Sequence, residues 1–182
     1  MDSIIAEALR LAGDSTPLRA QAAVGGGSIS QATRLRTDRG EYLLKAGGPG
    51  LPGFFAAEAR GLGLLAATGA VWVPAVLAYR DSASPHVEHS NVQTARPELA
   101  CPELVEWVEG FERSNVDMGF ILLEWLAAPA HADRASAAEA LGAQLAALHC
   151  ATATAYGLDH DNYIGATPQP NGWMAGWSSF FR

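Results

Sequence analysis

Cysteine is nearly absent from this chain: only Cys101 and Cys150 occur among 182 residues. They form neither a C-x-x-C pair nor a metal-ligand set, so no disulfide framework is expected and both thiols are predicted to be free in a reducing compartment. Positive charge is scarce as well. Twelve Lys and Arg against nineteen Asp and Glu give a net charge of −7, which argues against the basic face that nucleic acid or anionic lipid requires. A nucleotide needs only a few local donors, and this balance does not exclude one. No stretch approaches the roughly 18 apolar residues of a membrane span, and a start containing Asp2 and Glu7 has no basic-then-apolar signal pattern. The cytoplasm is therefore the expected compartment. The histidines, His86, His89, His131, His149 and His160, show no H-E-x-x-H or comparable metal spacing. His149 closes an apolar stripe and is expected to pack. Ser28 lacks a nucleophile-elbow context, and neither an internal repeat nor a heptad pattern occurs.

What is present is enough apolar sequence, 49%, for one substantial core and part of another. Ser3 suits the cap of a short first helix with Ile4, Ile5, Ala8, Leu9 and Ala12 at helical spacing, ended by Gly13 and Pro17. Ile29, Ala32 and Leu35 suggest a strand, Thr37-Asp38-Arg39-Gly40 a turn, and Glu41 to Ala46 the returning strand. A Gly/Pro-rich linker, Gly47 to Gly53, leads to a helix with Phe54, Phe55, Glu58, Leu62 and Leu65 on one side and a stop at Gly69. Val71 to Tyr79 reads as a strand interrupted by Pro74 near its start. Residues 81–118 read as a polar, acidic surface insertion, with a small amphipathic helix over Leu104, Val105, Val108 and Phe111. Gly119 to Leu126 reads as a buried strand. Ser136 and Glu139 form a capping-box pattern opening a helix with Leu141, Leu145 and Leu148 on one stripe, and Trp173, Trp177, Phe180 and Phe181 suggest an aromatic packing cluster. Strands grouped around a helix and followed by helical sequence predict an α+β lobe joined to a helical one.

Three places could carry chemistry. Gly25-Gly26-Gly27-Ser28 lets backbone amides approach phosphate oxygens without a Cβ in the way, although three glycines also suit a flexible turn. No Gly-Lys-Ser/Thr follows, so this is not a P-loop, and it is not the G-x-G-x-x-G of protein kinases. Lys45 lies at the end of the next strand but one, and Glu58 stands thirteen residues later in a helix. A kinase-like fold needs such a pair: the lysine holds the α- and β-phosphates and the glutamate orients the lysine. The same residues also suit a solvated strand lysine and an exposed helix carboxylate. The apolar Leu43, Leu44, Phe54, Phe55 and Leu62 around them favour emergence from a core. Glu124 stands at a strand end where a kinase fold reads the adenine edge through backbone N–H and C=O groups, and an ordinary strand end fits it nearly as well.

Asp161-Asn162-Tyr163-Ile164-Gly165-Ala166-Thr167-Pro168-Gln169-Pro170-Asn171-Gly172-Trp173, followed by Trp177 and Phe180-Phe181-Arg182, resembles a signature of the fructosamine-3-kinase (ketosamine-3-kinase) family. Gly25 to Ser30 resembles that family's nucleotide loop, Tyr42 to Lys45 its lysine strand, and Phe55 to Ala59 the start of its glutamate helix. Val71 to Pro74, Leu122 to Leu126 and Leu141 to His149 resemble its next strand, its hinge and the helix beyond. The resemblance implies a protein-kinase-like small lobe over 1–126, then the hinge and the beginning of a helical large lobe over 127–182. It implies binding of ATP by Gly25, Gly26, Gly27, Ser28, Lys45, Glu58 and Glu124, with Mg2+ expected only in a complete enzyme. The implied activity is phosphorylation of the 3-hydroxyl of a ketoamine sugar, which leads to deglycation. Ser28 stands where many members have a redox-active cysteine, so that switch is expected to be missing. The family's His-Gly-Asp-x-Trp-x-x-Asn catalytic loop and its later metal-binding aspartate do not occur in these residues. The chain alone is therefore expected to be an inactive fragment without a catalytic residue of its own, or alternatively a degenerate lobe that binds a nucleotide or a partner. An aminoglycoside- or choline-type kinase would share the lobe but lacks the Asp161–Trp173 signature.

Overall fold

The computed structural model describes residues 1–25, 29–48, 50–82, 118–127 and 133–181. Five antiparallel strands, β1 (Leu18–Val24), β2 (Ser30–Thr37), β3 (Glu41–Gly47), β4 (Val76–Arg80) and β5 (Phe120–Glu124), form one sheet in the order β1-β2-β3-β5-β4. β5 lies between β3 and β4 and is buried on both faces, which is why it reads as the unbroken apolar run Phe120-Ile121-Leu122-Leu123. β3 alternates instead. Tyr42, Leu44 and Ala46 are buried on one face, while Leu43 and Lys45 turn to the other.

Helix α1 (Asp2–Leu11) covers the first face with Ile4, Ile5, Ala8 and Leu9, which join Leu35, Leu44, Phe120 and Leu122 in the main core. The expected cap at Ser3 is not there. Met1 occupies the N-cap position without a side-chain cap, and Ser3 lies inside the helix. The helix ends in a Schellman arrangement, with Gly13 N–H on Arg10 O at 3.0 Å and Asp14 N–H on Leu9 O at 2.8 Å. Helix α2 (Phe54–Ala67) lies on the opposite face. There Phe55 packs with Ile121 and Leu123, and Phe54, Ala59 and Leu62 lean against them.

The strand expected from Val71 begins only at Val76, because Pro74 cannot donate to a ladder. β1 was not legible at all: its residues are exposed except for partly buried Val24, so no apolar alternation marks it. Helix α3 (Arg134–His149) starts three residues earlier than the capping-box pattern suggests. Asp133 is its N-cap, accepting from the N–H groups of Ala135 and Ser136, and Ser136 only donates its hydroxyl to Asp133. No residue of α3 is buried, and His149, expected to pack, is exposed. A two-stranded ribbon of β6 (Asn162–Ile164) and β7 (Thr167–Gln169) and the short helix α4 (Trp177–Phe180) follow. Trp177 gathers Tyr156, Phe180 and Phe181 within 6.0 Å between ring centres; Trp173 takes no part in a described ring contact. The insertion at 81–118, apart from its ends, and its expected helix lie outside the described residues.

Candidate functional site

Lys45 on β3 is in register with Ala32 on β2 and Ile121 on β5, and Ala32 with Val24 on β1. Register partners share a face, so these four residues make a row across the sheet on the side where α2 lies. Phe55, fully buried, fixes the start of α2 against that side, and Glu58 follows nearly one turn later. Lys45 Nζ donates to Glu58 Oε1 at 2.5 Å, and the two side chains are 29% and 26% exposed. The pair expected from the sequence is formed. Lys45 is also the only lysine in these 182 residues.

The register of α2 depends on a residue that sequence reading missed. Its N-cap, Gly53, has no side chain, and Asp81, just beyond β4, supplies the cap from 26 positions away. Asp81 Oδ1 accepts from Phe55 N–H at 2.7 Å and, more weakly, from Ala56 N–H at 3.4 Å. A negative charge at a helix N-terminus satisfies free amides and complements the helix dipole. The one available signal was the uncapped Gly53, which says that a cap is missing but not where it comes from.

Beside the pair opens a cleft of about 440 Å3, lined by Ser30, Lys45, Phe54, Glu58, Asn162 and Tyr163 among others. Val24 and Ile29 flank the glycine-rich connection of β1 to β2. Gly25 is exposed, and a Cβ there would meet nothing within 4 Å; Gly26, Gly27 and Ser28 lie outside the described residues.

Glu124 is the last residue of β5, the strand end expected from the sequence. Its N–H donates to Ala75 O at 2.9 Å, and its carboxylate accepts from Ala75 N–H at 3.3 Å. That amide is committed within the fold. The side chain, expected to matter less than the backbone, holds the approach to β4. Next to it, Trp125 N–H donates to Glu41 O at 3.3 Å, and Arg34, paired with Glu41 at 2.6 Å, lies 4.5 Å over the Trp125 ring.

The far wall of the cleft is the β6–β7 ribbon. Tyr163 donates its hydroxyl to Pro52 O at 2.6 Å, and its ring lies 5.6 Å from that of Phe54. The ribbon is held at its base by Asn171, which is 3% exposed. Asn171 N–H donates to Asp161 Oδ1 at 2.8 Å, and its side-chain amide donates to His160 O at 3.3 Å and to Asn162 Oδ1 at 3.0 Å. Asn171 O accepts from Leu158 N–H at 2.8 Å. At Gly157 (φ 144°) a Cβ would stand 2.6 Å from that same oxygen, so only glycine fits. The conspicuous sequence from Asp161 to Trp173 thus has a physical basis: it builds a ribbon, the anchor of that ribbon and one wall of the cleft. His160, its side chain 8% exposed, donates its Nδ1–H to Asp159 Oδ1 at 2.5 Å, and that contact holds the Asp159 carboxyl below the usual range.

The family model for fructosamine kinase matches residues 1–182. The chain belongs to the fructosamine kinase family. It is 33% identical over 87% of its length to a Synechocystis sp. protein named a probable ketoamine kinase. It is 29% identical over 93% of its length to the protein-ribulosamine 3-kinase, chloroplastic, of Oryza sativa subsp. indica. It spans only 42% and 40% of those two relatives. A crystal structure from Thermobifida fusca described as a fructosamine-3-kinase superposes with a TM-score of 0.68 at 25% identity, covering 100% of this chain and 50% of that one. The antiparallel sheet with its helices is accordingly the small lobe of a kinase-like fold. This member of the family carries the Lys45–Glu58 ion pair between β3 and α2. Among the described residues there is no group of three His, Cys, Asp or Glu able to hold a metal ion, and no helix long and apolar enough to cross a membrane.

Proposed function

We propose that this chain is the nucleotide-binding part of an ATP-dependent ketoamine 3-kinase. The complete activity moves the γ-phosphoryl of ATP to the 3-hydroxyl of a ketoamine sugar, and the unstable product releases the amine, which reverses glycation. One observation carries the reading: a formed Lys45–Glu58 ion pair lining a cleft, in a member of this family. In this reading Lys45 holds the α- and β-phosphates, and Glu58 keeps its ammonium aimed into the cleft. Backbone amides from Gly25 to Ser28 approach the phosphates, and the strand end at Glu124 borders the base without lending its N–H. ATP fits the donor set on this side of the sheet. Magnesium enters only as the ion that accompanies the nucleotide in the complete enzyme. The division into a lobe at 1–126 and a following part from 127 belongs to the same proposal, as does a cytoplasmic location.

Phosphoryl transfer also needs an aspartate to align the attacking hydroxyl. The family's His-Gly-Asp-x-Trp-x-x-Asn loop is not among these 182 residues. That supports binding without turnover by these residues alone and keeps a second reading in place, a non-catalytic module that holds a nucleotide or a partner. The test is titration calorimetry with MgATP on the chain and on Lys45→Ala. Binding that weakens at least tenfold in the variant, at unchanged melting temperature, supports the nucleotide clamp. Equal binding by both contradicts it. Robust ADP release by the chain would contradict the separation of binding from turnover.

A further inference from the structure

Nothing so far gives the β6–β7 ribbon a role toward the ligand. Two contacts dock it over the cleft: the Tyr163 hydroxyl on Pro52 O, at the entry to α2, and Gly165, where a Cβ would come 3.2 Å from Ile29 Cδ1, next to the glycine-rich connection. The ribbon therefore lies against the entry to α2 at Pro52 and close to Ile29, just before the start of β2. Asn162 lines that cleft together with Lys45, Glu58 and Ser30. Its side-chain oxygen is already occupied by the amide of buried Asn171 at 3.0 Å. No described residue accepts from its Nδ2. An amide anchored through its oxygen keeps its two N–H donors for a ligand, and these match a ligand group that only accepts. The sole lysine is half-neutralised by Glu58, so an anion here needs neutral donors as well as the ammonium.

We propose that Asn162 is a nucleotide-binding residue that donates its side-chain amide to the terminal phosphate of ATP, and that the ribbon is the second wall of the phosphate site. This rests on the nucleotide reading given above. Asn162 would then discriminate the triphosphate from the diphosphate, while Lys45 serves both. The decisive variant is Asn162→Asp. It keeps an acceptor for Asn171, so the ribbon stays anchored, but it replaces the donor by an oxygen that repels phosphate.

MgATP, MgADP and AMP are titrated into the unaltered chain, Asn162→Asp, Asn162→Ala and Lys45→Ala. The expected result is a loss of about tenfold or more in ATP affinity for Asn162→Asp and a smaller loss for Asn162→Ala, with ADP and AMP within about twofold of their original affinities. Lys45→Ala is expected to weaken ATP and ADP alike. If both Asn162 variants keep the original ATP-to-ADP ratio while Lys45→Ala fails to bind, the inference is overturned and the nucleotide reading stands. If the unaltered chain binds none of the three, both are overturned.

Discussion

Asp14 shows how one side chain can tie a small lobe together. It is 3% exposed and accepts from Thr16 N–H at 2.9 Å and from the hydroxyls of Thr16, Thr37 and Tyr42 at 2.6, 2.6 and 2.8 Å. Burial pushes its carboxyl up, but the hydrogen bonds from Thr16, Thr37 and Tyr42 outweigh burial and hold it well below the usual carboxylate range. A lowered folded pKa stabilises the fold above the unfolded value, near 4, and that stabilisation fades as pH falls toward the folded value. Asp14→Asn is therefore expected to cost roughly 2 kcal/mol at pH 7. The gap between variant and parent should narrow on acidification below about pH 4, and urea melts at pH 7 and pH 3 measure it. Asp14 was invisible in the sequence because its partners lie on β2, β3 and the loop after α1. Lys45 and Glu58 were legible because strand and helix periodicity put both at the edge of apolar runs. Glu124 was legible only as a strand end; the committed amide depends on Ala75, which no local pattern brings near.

At the scale of elements, the cleft depends on where α2 starts, and two tethers set this: Asp81 at its first amides and Tyr163 on Pro52. Removing the first by Asp81→Ala is expected to cost about 1–2 kcal/mol. It should also speed hydrogen exchange at Phe55 and Ala56 more than at the far end of α2; uniform exchange along the helix would contradict the long-range cap. Helix α3 offers a parallel test of local reading. The capping-box pattern pointed to Ser136, whereas the structure gives the cap to Asp133, three residues earlier. Asp133→Ala is expected to cost about 1 kcal/mol and Ser136→Ala clearly less, as measured by the helical signal on heating. Both sequence errors at helix starts, Ser3 and Ser136, arise from one physical cause. A hydroxyl fits a cap position and the first turn equally well, and only the hydrogen bonds distinguish them.

For the whole molecule, the sheet and its two helices form a closed core, while the later elements leave apolar surface in water. Leu141 and Leu145, one turn apart on α3, are 55% and 42% exposed, and Trp177 and Phe181 are 53% and 74% exposed. Surfaces of this kind bind apolar dyes and self-associate. Leu141→Glu with Leu145→Glu is expected to lower association in sedimentation runs while leaving the melting temperature within a few degrees. The fold class could be read from the order of strands and helices, since a run of strands around one helix leaves few packings. β1, without an apolar pattern, took its place only through pairing with β2. The candidate site is half legible: its lysine side is, but its ribbon wall is a sequence signature to which only the fold gives a position. The most direct test of the central claim uses the single lysine. The chain is treated with an ATP derivative bearing a lysine-reactive acyl phosphate, with and without excess ATP, and the modified peptides are identified by mass spectrometry. The expected result is modification of Lys45 that excess ATP suppresses; labelling that misses Lys45, or that ATP does not reduce, would contradict a nucleotide held by the Lys45–Glu58 pair.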